Sequence, residues 1–209
     1  CDIAGRLLAT VSGKGIEVVQ ISELSDPTPQ VVIPSVPTPR GEPAMSAEWC
    51  PHEDRSSVLA TTSPGATVAI WNVASGTSSL LARFQTAQSP SARADFSWSP
   101  FDQNLILVCG GQSSLVKMFD LRDPRTPSAI TAKSYHASLV AWNRVNRLYF
   151  ATAHDTGEIR FWDIRAERDI NFITAHRSRV TFLEWSPINA SFLLSTGIEK
   201  NVKIWNMNE

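Results

Sequence analysis

The side chains best suited to chemistry in this sequence are four histidines, three cysteines and a scatter of carboxylates. His136 stands before Asp155, and His176 stands before Glu199 at a similar distance. A histidine with a carboxylate could act in acid–base catalysis, bind a metal, or form a buried hydrogen-bond network. The buried network is the favoured interpretation, because nothing else in the sequence supports catalysis.

Known catalytic patterns are absent from the sequence. It contains no P-loop, no HExxH, no GxSxG and no dinucleotide-binding glycine pattern. Cys1, Cys50 and Cys109 are odd in number and widely spaced, so they form neither a disulfide framework nor a zinc-ligand pattern, which fits a reducing compartment. His52 and His154 have no partners at a recurring spacing and are interpreted as loop residues. We therefore expect no catalytic residue, no cofactor and no metal site.

The composition of the chain indicates which kinds of partner it can bind. The chain has 209 residues and a formal net charge of -1, which argues against nucleic acid because nucleic-acid binding favours a basic face. No apolar run approaches the length of a transmembrane helix, and the N-terminus carries no signal-peptide pattern. These features predict a cytoplasmic protein whose partners are other proteins.

Two aromatic motifs recur along the chain and indicate internal repeats. The first motif reads "AEWCP", "FSWSP", "VAWNR" and "LEWSP", and the second reads "VAIWNV", "LVKMFDLR", "EIRFWDIR" and "VKIWNMN". Their aromatic residues are Trp49, Trp98, Trp142 and Trp185 in the first motif, and Trp71, Phe119, Trp162 and Trp205 in the second. Successive copies are roughly 43 to 49 residues apart, a period that indicates a repeat architecture.

Each repeat reads as four short strands. Segments rich in Val, Ile, Leu, Phe and Trp, which favour strands, alternate with segments rich in Gly, Pro, Asn, Asp and Ser, which favour turns. The pattern divides the chain into units at about 1–44, 45–88, 89–134, 135–175 and 176–209. The Pro-rich stretch 34–43 is interpreted as an inserted loop, with a PxxP ligand for an SH3-like partner as the alternative.

Four strands per unit at this period resemble the WD40 family along essentially the whole chain. The resemblance implies an all-β propeller in which the eight motif aromatics pack between blades. It also implies a hydrogen-bond network that joins a histidine before the first strand, a Ser or Thr, an acidic turn residue and the Trp. His136 with Asp155 fits this pattern, and His176 fits it with Glu199 in place of the usual Asp.

A narrower resemblance rests on three stretches. "ASLVAWNRVNRLYFATAHDTGEIRFWDIR", "ITAHRSRVTFLEWSP" and "NVKIWN" resemble the N-terminal propeller of a WD-repeat subunit of the SEA/GATOR complex. That resemblance implies a scaffold that contacts other subunits, is peripheral to the vacuolar or lysosomal membrane, and passes amino-acid signals to TOR kinase.

The alternative is a substrate receptor of a cullin-type ubiquitin ligase. The mark of that family is Trp-Asp-x-Arg, which "WDIR" matches with Asp163 and Arg165, and which "FDLR" nearly matches with Arg122. The resemblance implies that the Arg side chain reaches an adaptor protein. Peroxisomal import receptors, histone-binding propellers and enzymes that carry a propeller are further options.

The length predicts an incomplete ring. About five units account for the chain, the first lacks an opening strand and the last stops before a fourth strand. We expect a fragment that forms a partial propeller with exposed edges, to be completed by further repeats or by a partner strand.

Overall fold

The structure is a computed structural model that describes residues 7–12, 15–20, 30–36, 44–74, 77–85, 92–110, 115–129, 137–166 and 168–208. The chain forms two compact units, Cys1–Arg93 and Ala94–Glu209. The all-β class is confirmed, because the described residues form five antiparallel sheets and one short 3-10 helix, Glu53–Arg55. No helix in the described ranges is long and apolar enough to span a membrane.

The first unit contains two sheets in which each strand pairs with the next along the chain. The first sheet has three strands, β1 (Leu7–Ser12), β2 (Gly15–Gln20) and β3 (Gln30–Val36). The second sheet has four strands, β4 (Ser46–Trp49), β5 (Val58–Ser63), β6 (Thr67–Ala74) and β7 (Thr77–Gln85). Ile16 and Val18 of β2 share one apolar cluster with Leu59 and Trp71 of the second sheet, so the core of this unit joins its two sheets.

The end of β3 corrects the predicted bounds of the Pro-rich loop. Pro34 lies inside β3, so residues 34–36 belong to a strand and not to a loop. The β2–β3 register shifts between the pairs Ile16–Val36 and Val18–Ile33. Pro34, which has no backbone N–H, is tolerated at this irregularity because β3 is the outer strand of the sheet among the described strands. The rest of the stretch, 37–43, is outside the described residues.

The second unit contains three sheets with the same meander order. The third sheet is β8 (Ala94–Trp98), β9 (Leu105–Gly110), β10 (Lys117–Asp120) and β11 (Asp123–Ala129). The fourth sheet is β12 (Ala137–Trp142), β13 (Tyr149–His154), β14 (Glu158–Asp163) and β15 (Asp169–Thr174). The fifth sheet is β16 (Val180–Trp185), β17 (Phe192–Gly197) and β18 (Val202–Asn206).

Side chains of one first strand bind the backbone of the next within the second unit. Asp95 Oδ2 accepts the Val140 N–H at 2.9 Å, and Ser97 Oγ accepts the Trp142 N–H at 3.0 Å, so β8 and β12 lie side by side. Burial raises the pKa of the Asp95 carboxyl to about 7, although hydrogen bonds from the Val140 and Phe96 backbone N–H groups oppose the rise.

Apolar clusters fill the space between successive sheets of this unit. One cluster joins the third and fourth sheets and includes Leu107, Trp142 and Trp162. Another joins the fourth and fifth sheets and includes Phe161 and Trp185. The sheets thus bury their apolar faces against one another, as stacked repeats must.

Strand β18 is the outer strand of the fifth sheet in the described part of the chain. Its Val202 and Ile204 side chains are 66% and 71% exposed. Such an edge offers unpaired backbone groups to another strand.

Candidate interaction site

A pair of a hydroxyl and an indole N–H recurs in three of the sheets, buried in two of them and partly buried in the third. Each hydroxyl lies ten residues before its Trp and accepts the hydrogen bond from Nε1: Trp71 to Thr61 at 3.0 Å, Trp162 to Thr152 at 2.9 Å and Trp205 to Ser195 at 2.9 Å. The hydroxyl comes from the second strand of the meander and the Trp from the third. A satisfied polar pair inside a sheet rigidifies it, because separating the partners would leave a buried donor unpaired.

In the fifth sheet a histidine and a carboxylate extend this pair. His176 is buried, and its Nε2 lies 2.8 Å from Ser195 Oγ while its Nδ1 lies 2.7 Å from Glu199 Oε1. A hydrogen bond from its own backbone N–H lowers the pKa of Glu199, and His176 lowers it further. Gly197 leaves room for the ring, since a Cβ there would overlap His176 Nδ1 and the Glu199 carboxylate. Glu199 can therefore fill the role that the resemblance assigns to an Asp.

His154 takes part in the corresponding network of the fourth sheet, and its prediction as a loop residue was wrong. It is the last residue of β13, is 1% exposed, and places Nε2 at 3.0 Å from Thr152 Oγ1. It stands two residues after the hydroxyl, which is the position that Gly197 holds after Ser195. A histidine at this position brings its ring to the hydroxyl from within the strand.

Two further residues, His136 and Asp155, were proposed for this network. His136 lies outside the described residues. Asp155 is exposed, and its carboxylate forms an ion pair with Arg179 Nε at 3.3 Å, which links the fourth sheet to the segment that leads into β16.

The third sheet replaces both members of the pair. Phe119 stands at the position of the Trp, and Cys109 stands ten residues earlier at the position of the hydroxyl. Both are buried. Burial and the nearby Asp95 raise the pKa of the Cys109 thiol well above its usual range. Because the phenyl ring of Phe119 has no N–H to donate, the side chain at Cys109 does not have to be a strong hydrogen-bond acceptor.

Sequence reasoning missed the hydroxyls, although a signal was present. Thr61, Thr152 and Ser195 each precede a Trp by the same interval, and Cys109 precedes the one Phe in the series. Correlated change at a fixed interval between two strand segments indicates that the two side chains are in contact.

The first-motif aromatics Trp49, Trp98, Trp142 and Trp185 are all buried, but their indole groups bind differently. Trp142 Nε1 donates to the Arg147 carbonyl of its own sheet at 3.1 Å, whereas Trp185 Nε1 donates to the Ala141 carbonyl of the preceding sheet at 3.2 Å. Trp49 Nε1 is buried and has no hydrogen-bond partner among the described residues. Their role as packing residues between blades stays a prediction.

At the ends of two third strands, β10 and β14, the carboxylate of an Asp accepts two hydrogen bonds from the guanidinium of the Arg two residues later. We call each such pair, Asp120 with Arg122 and Asp163 with Arg165, a fork. Arg165 donates from Nε and Nη2 to the Asp163 carboxylate at 3.0 and 2.6 Å, and the Asp163 pKa is lowered to about 2 mainly by this side-chain hydrogen bonding. Arg122 donates from Nε and Nη2 to the Asp120 carboxylate in the same way, and these hydrogen bonds lower the pKa of Asp120. The arginine side chains are 65% and 61% exposed, so each fork holds a positive charge on the surface in a fixed position.

Successive antiparallel meander sheets of three or four strands define a β-propeller of the WD40 type. Over residues 84–208, more than half of the chain, the sequence matches the family model eIF2A, described as Eukaryotic translation initiation factor eIF2A. A WD repeat-containing protein of Dictyostelium discoideum is 29% identical over 156 residues, which are 73% of this chain and 8% of that protein. The chain therefore belongs to the WD40-repeat family, here represented by the eIF2A model.

Two further comparisons gave matches, one over a shorter stretch of sequence and one of fold alone. The GATOR2 complex protein WDR59 of Mus musculus is 34% identical over 67 residues, 32% of this chain and 7% of that protein. A chain in the crystal structure of the Mitotic Checkpoint Complex has a TM-score of 0.73 at 18% identity, and the match covers 97% of this chain and 57% of that one. The matched stretches cover less than a tenth of the length of the Dictyostelium protein and of WDR59. The described residues contain no group of three or more His, Cys, Asp or Glu side chains that could hold a metal ion.

Proposed function

We propose that this chain is a non-catalytic scaffold of the SEA/GATOR type, which binds other subunits of a multi-protein complex and regulates TOR signalling in response to amino acids. The observation that supports this most directly is the 34% identity to the GATOR2 complex protein WDR59 over 67 residues. Membrane contact is then peripheral and occurs through the complex at the vacuole or lysosome.

The geometry suits a scaffold. Hydroxyl–indole pairs hold three of the sheets rigid from within, while charged side chains such as Arg122 and Arg165 stay exposed at the ends of strands. A rigid frame that presents loops lets a partner bind without the cost of ordering the surface first.

Affinity purification of the full-length protein from cells, followed by mass spectrometry, tests this function. We expect recovery of other WD-repeat subunits of the SEA/GATOR complex. A protein expressed at the same level that carries an unrelated WD40 propeller is the control. Recovery of none of those subunits above the control would contradict the proposal.

The fork at Asp163 and Arg165 supports a second candidate, a substrate receptor of a cullin-type ubiquitin ligase. Arg165 is held in position by Asp163 and is 65% exposed on its side chain, so it could reach an adaptor protein. In a pulldown of the ligase adaptor, Arg165→Ala should reduce recovery while circular dichroism stays unchanged. Arg168→Ala removes a neighbouring exposed charge outside the motif and is the control. If the wild-type protein binds no adaptor, this candidate fails.

A further inference from the structure

A cavity of about 390 Å³ lies between the fourth and fifth sheets of the second unit. Phe150, Phe161 and Trp185 are among the side chains that form its walls. Trp185 meets Phe161 edge to face with ring centroids 6.0 Å apart, and its indole N–H is held by the Ala141 carbonyl. The volume falls within the usual range for ligand pockets, and the aromatic walls suit a large apolar group.

Three asparagine side chains line the same cavity and come from different elements. Asn146 lies in the β12–β13 connection, Asn171 in β15, and Asn208 just after β18. Each uses Oδ1 within the protein: Asn146 accepts from the Leu148 N–H, Asn171 from the Phe172 N–H and Asn208 from the Ser191 hydroxyl. Within the described part of the chain their Nδ2 groups form no hydrogen bond. An amide nitrogen only donates, so the lining can supply donors for carbonyl or carboxylate oxygens.

The lining of the cavity contains no charged side chain, and its link to the ion pair of Arg165 with Asp163 runs through one lining residue, Tyr149. Tyr149 lines the cavity and pairs directly with Asp163 across β13 and β14. Asp163 carries the Arg165 fork, and the phenol of Tyr149 is close enough to contribute to the raised pKa of Arg165. Arg165 Nη1 takes no part in the fork, so it can bind an acidic group beside the cavity.

We infer that this cavity binds an extended peptide segment of a partner protein, with one large apolar side chain inside it and an acidic side chain on Arg165. The inference deepens the proposed scaffold function and rests on it. A peptide matches each part of the surface: the anchor fills the aromatic cavity, backbone carbonyls accept from the amide groups, and a carboxylate meets the guanidinium. A ligand made only of hydrocarbon would leave the amide donors without acceptors.

The test is selection of a phage-displayed library of random twelve-residue peptides on the full-length protein. Enriched peptides are then synthesised with fluorescein and titrated by fluorescence anisotropy. We expect them to share one large aliphatic or aromatic residue with an Asp or Glu within a few positions. Replacing either residue by Ala in the peptide should weaken binding at least tenfold.

Matched variants tie the binding to the cavity. Asn208→Asp keeps the Oδ1 that accepts from Ser191 but replaces the amide donor by a negative charge, so peptide binding should fall at least tenfold. Asn189→Asp makes the same change in the nearby β16–β17 connection, outside the cavity lining, and should alter affinity less than twofold. Arg165→Ala should remove the preference for the acidic residue while retaining the preference for the apolar one.

Several outcomes would overturn the inference. These are no enrichment over the bare support, enriched peptides that lack the apolar anchor, or affinity that Asn208→Asp leaves unchanged. The result is separable from the proposed function. If the complex subunits are still recovered from cells by a protein that binds no such peptide, only the cavity inference fails. If peptides bind but no subunit is recovered, only the SEA/GATOR function fails.

Discussion

Removing the Thr152 hydroxyl tests whether the buried pair stabilises the fourth sheet. Thr152 Oγ1 lies 2.9 Å from the Trp162 indole nitrogen and 3.0 Å from His154 Nε2, and all three residues are buried. In Thr152→Val both groups lose this contact while the side-chain shape is nearly kept. Each buried group that loses its partner costs about 1–3 kcal/mol, and the two costs overlap because they share one atom. We expect the free energy of unfolding to fall by about 3 kcal/mol.

Urea denaturation followed by circular dichroism measures this change, and thermal unfolding should show a Tm lower by about 6–12 °C for a protein of this size. Thr181→Val is the control, because its hydroxyl bonds only to Thr196 at an exposed position, and should cost less than about 0.5 kcal/mol.

The third sheet supplies a second, stricter test. The double variant Thr152→Cys with Trp162→Phe copies the Cys109 and Phe119 combination, so it should lose less stability than the sum of its single variants. A loss below about 1 kcal/mol for Thr152→Val, or full additivity in the double variant, would refute the argument.

Three further predictions concern Asp95, Gly157 and Cys109. Because the folded-state pKa of Asp95 is raised to about 7 from an ordinary 3.8, the folded state holds a proton that the unfolded state releases, so wild-type stability should fall between about pH 4 and pH 7. Asp95→Asn removes that titration. The difference in unfolding free energy between the variant and wild type, measured by urea unfolding, should therefore shift in favour of the variant by a few kcal/mol from pH 4 to pH 8. Equal pH dependence of the two proteins would contradict this. Gly157→Ala should cost about 2 kcal/mol or more in the same assay, since φ is +89° there and a Cβ would overlap the His176 carbonyl oxygen; an unchanged midpoint would contradict it. Cys109, buried and with a raised pKa, should react with iodoacetamide only after unfolding, as read by peptide mass spectrometry, and labelling of the native protein would count against this.

The fold class could be predicted from the spacing of the repeated motifs. The aromatic residues and the turn residues between them repeat because each sheet repeats, so the strands could be found from sequence. The first strand of one sheet contacts the first strand of the next about one repeat later, but the repeat interval does not say which side chains make these contacts. Asp95 and Ser97 bind backbone groups 45 residues away, and nothing in the sequence around either residue marks it as the side chain that does so.

The histidines show the same limit. His176 and Glu199 could be paired from spacing and the structure brings them together, but His154 had no matching interval. Its partner Thr152 is only two residues away in the same strand, and a pair that close carries no repeat signal. The cavity could not be predicted from the sequence, because its lining comes from several elements and includes Trp185, whose indole N–H binds a carbonyl of the preceding sheet.

The replacement of hydroxyl and indole by Cys109 and Phe119 has an evolutionary consequence. Both partners belong to one sheet and lie ten residues apart, so a single repeat can exchange its polar pair for an apolar one without any change in the repeats beside it. Either substitution alone passes through a less stable intermediate, which favours inheritance of the two as a unit. Repeats copied within a gene can thus diverge one at a time, and a hybrid propeller made by recombination should join best at the loops between sheets.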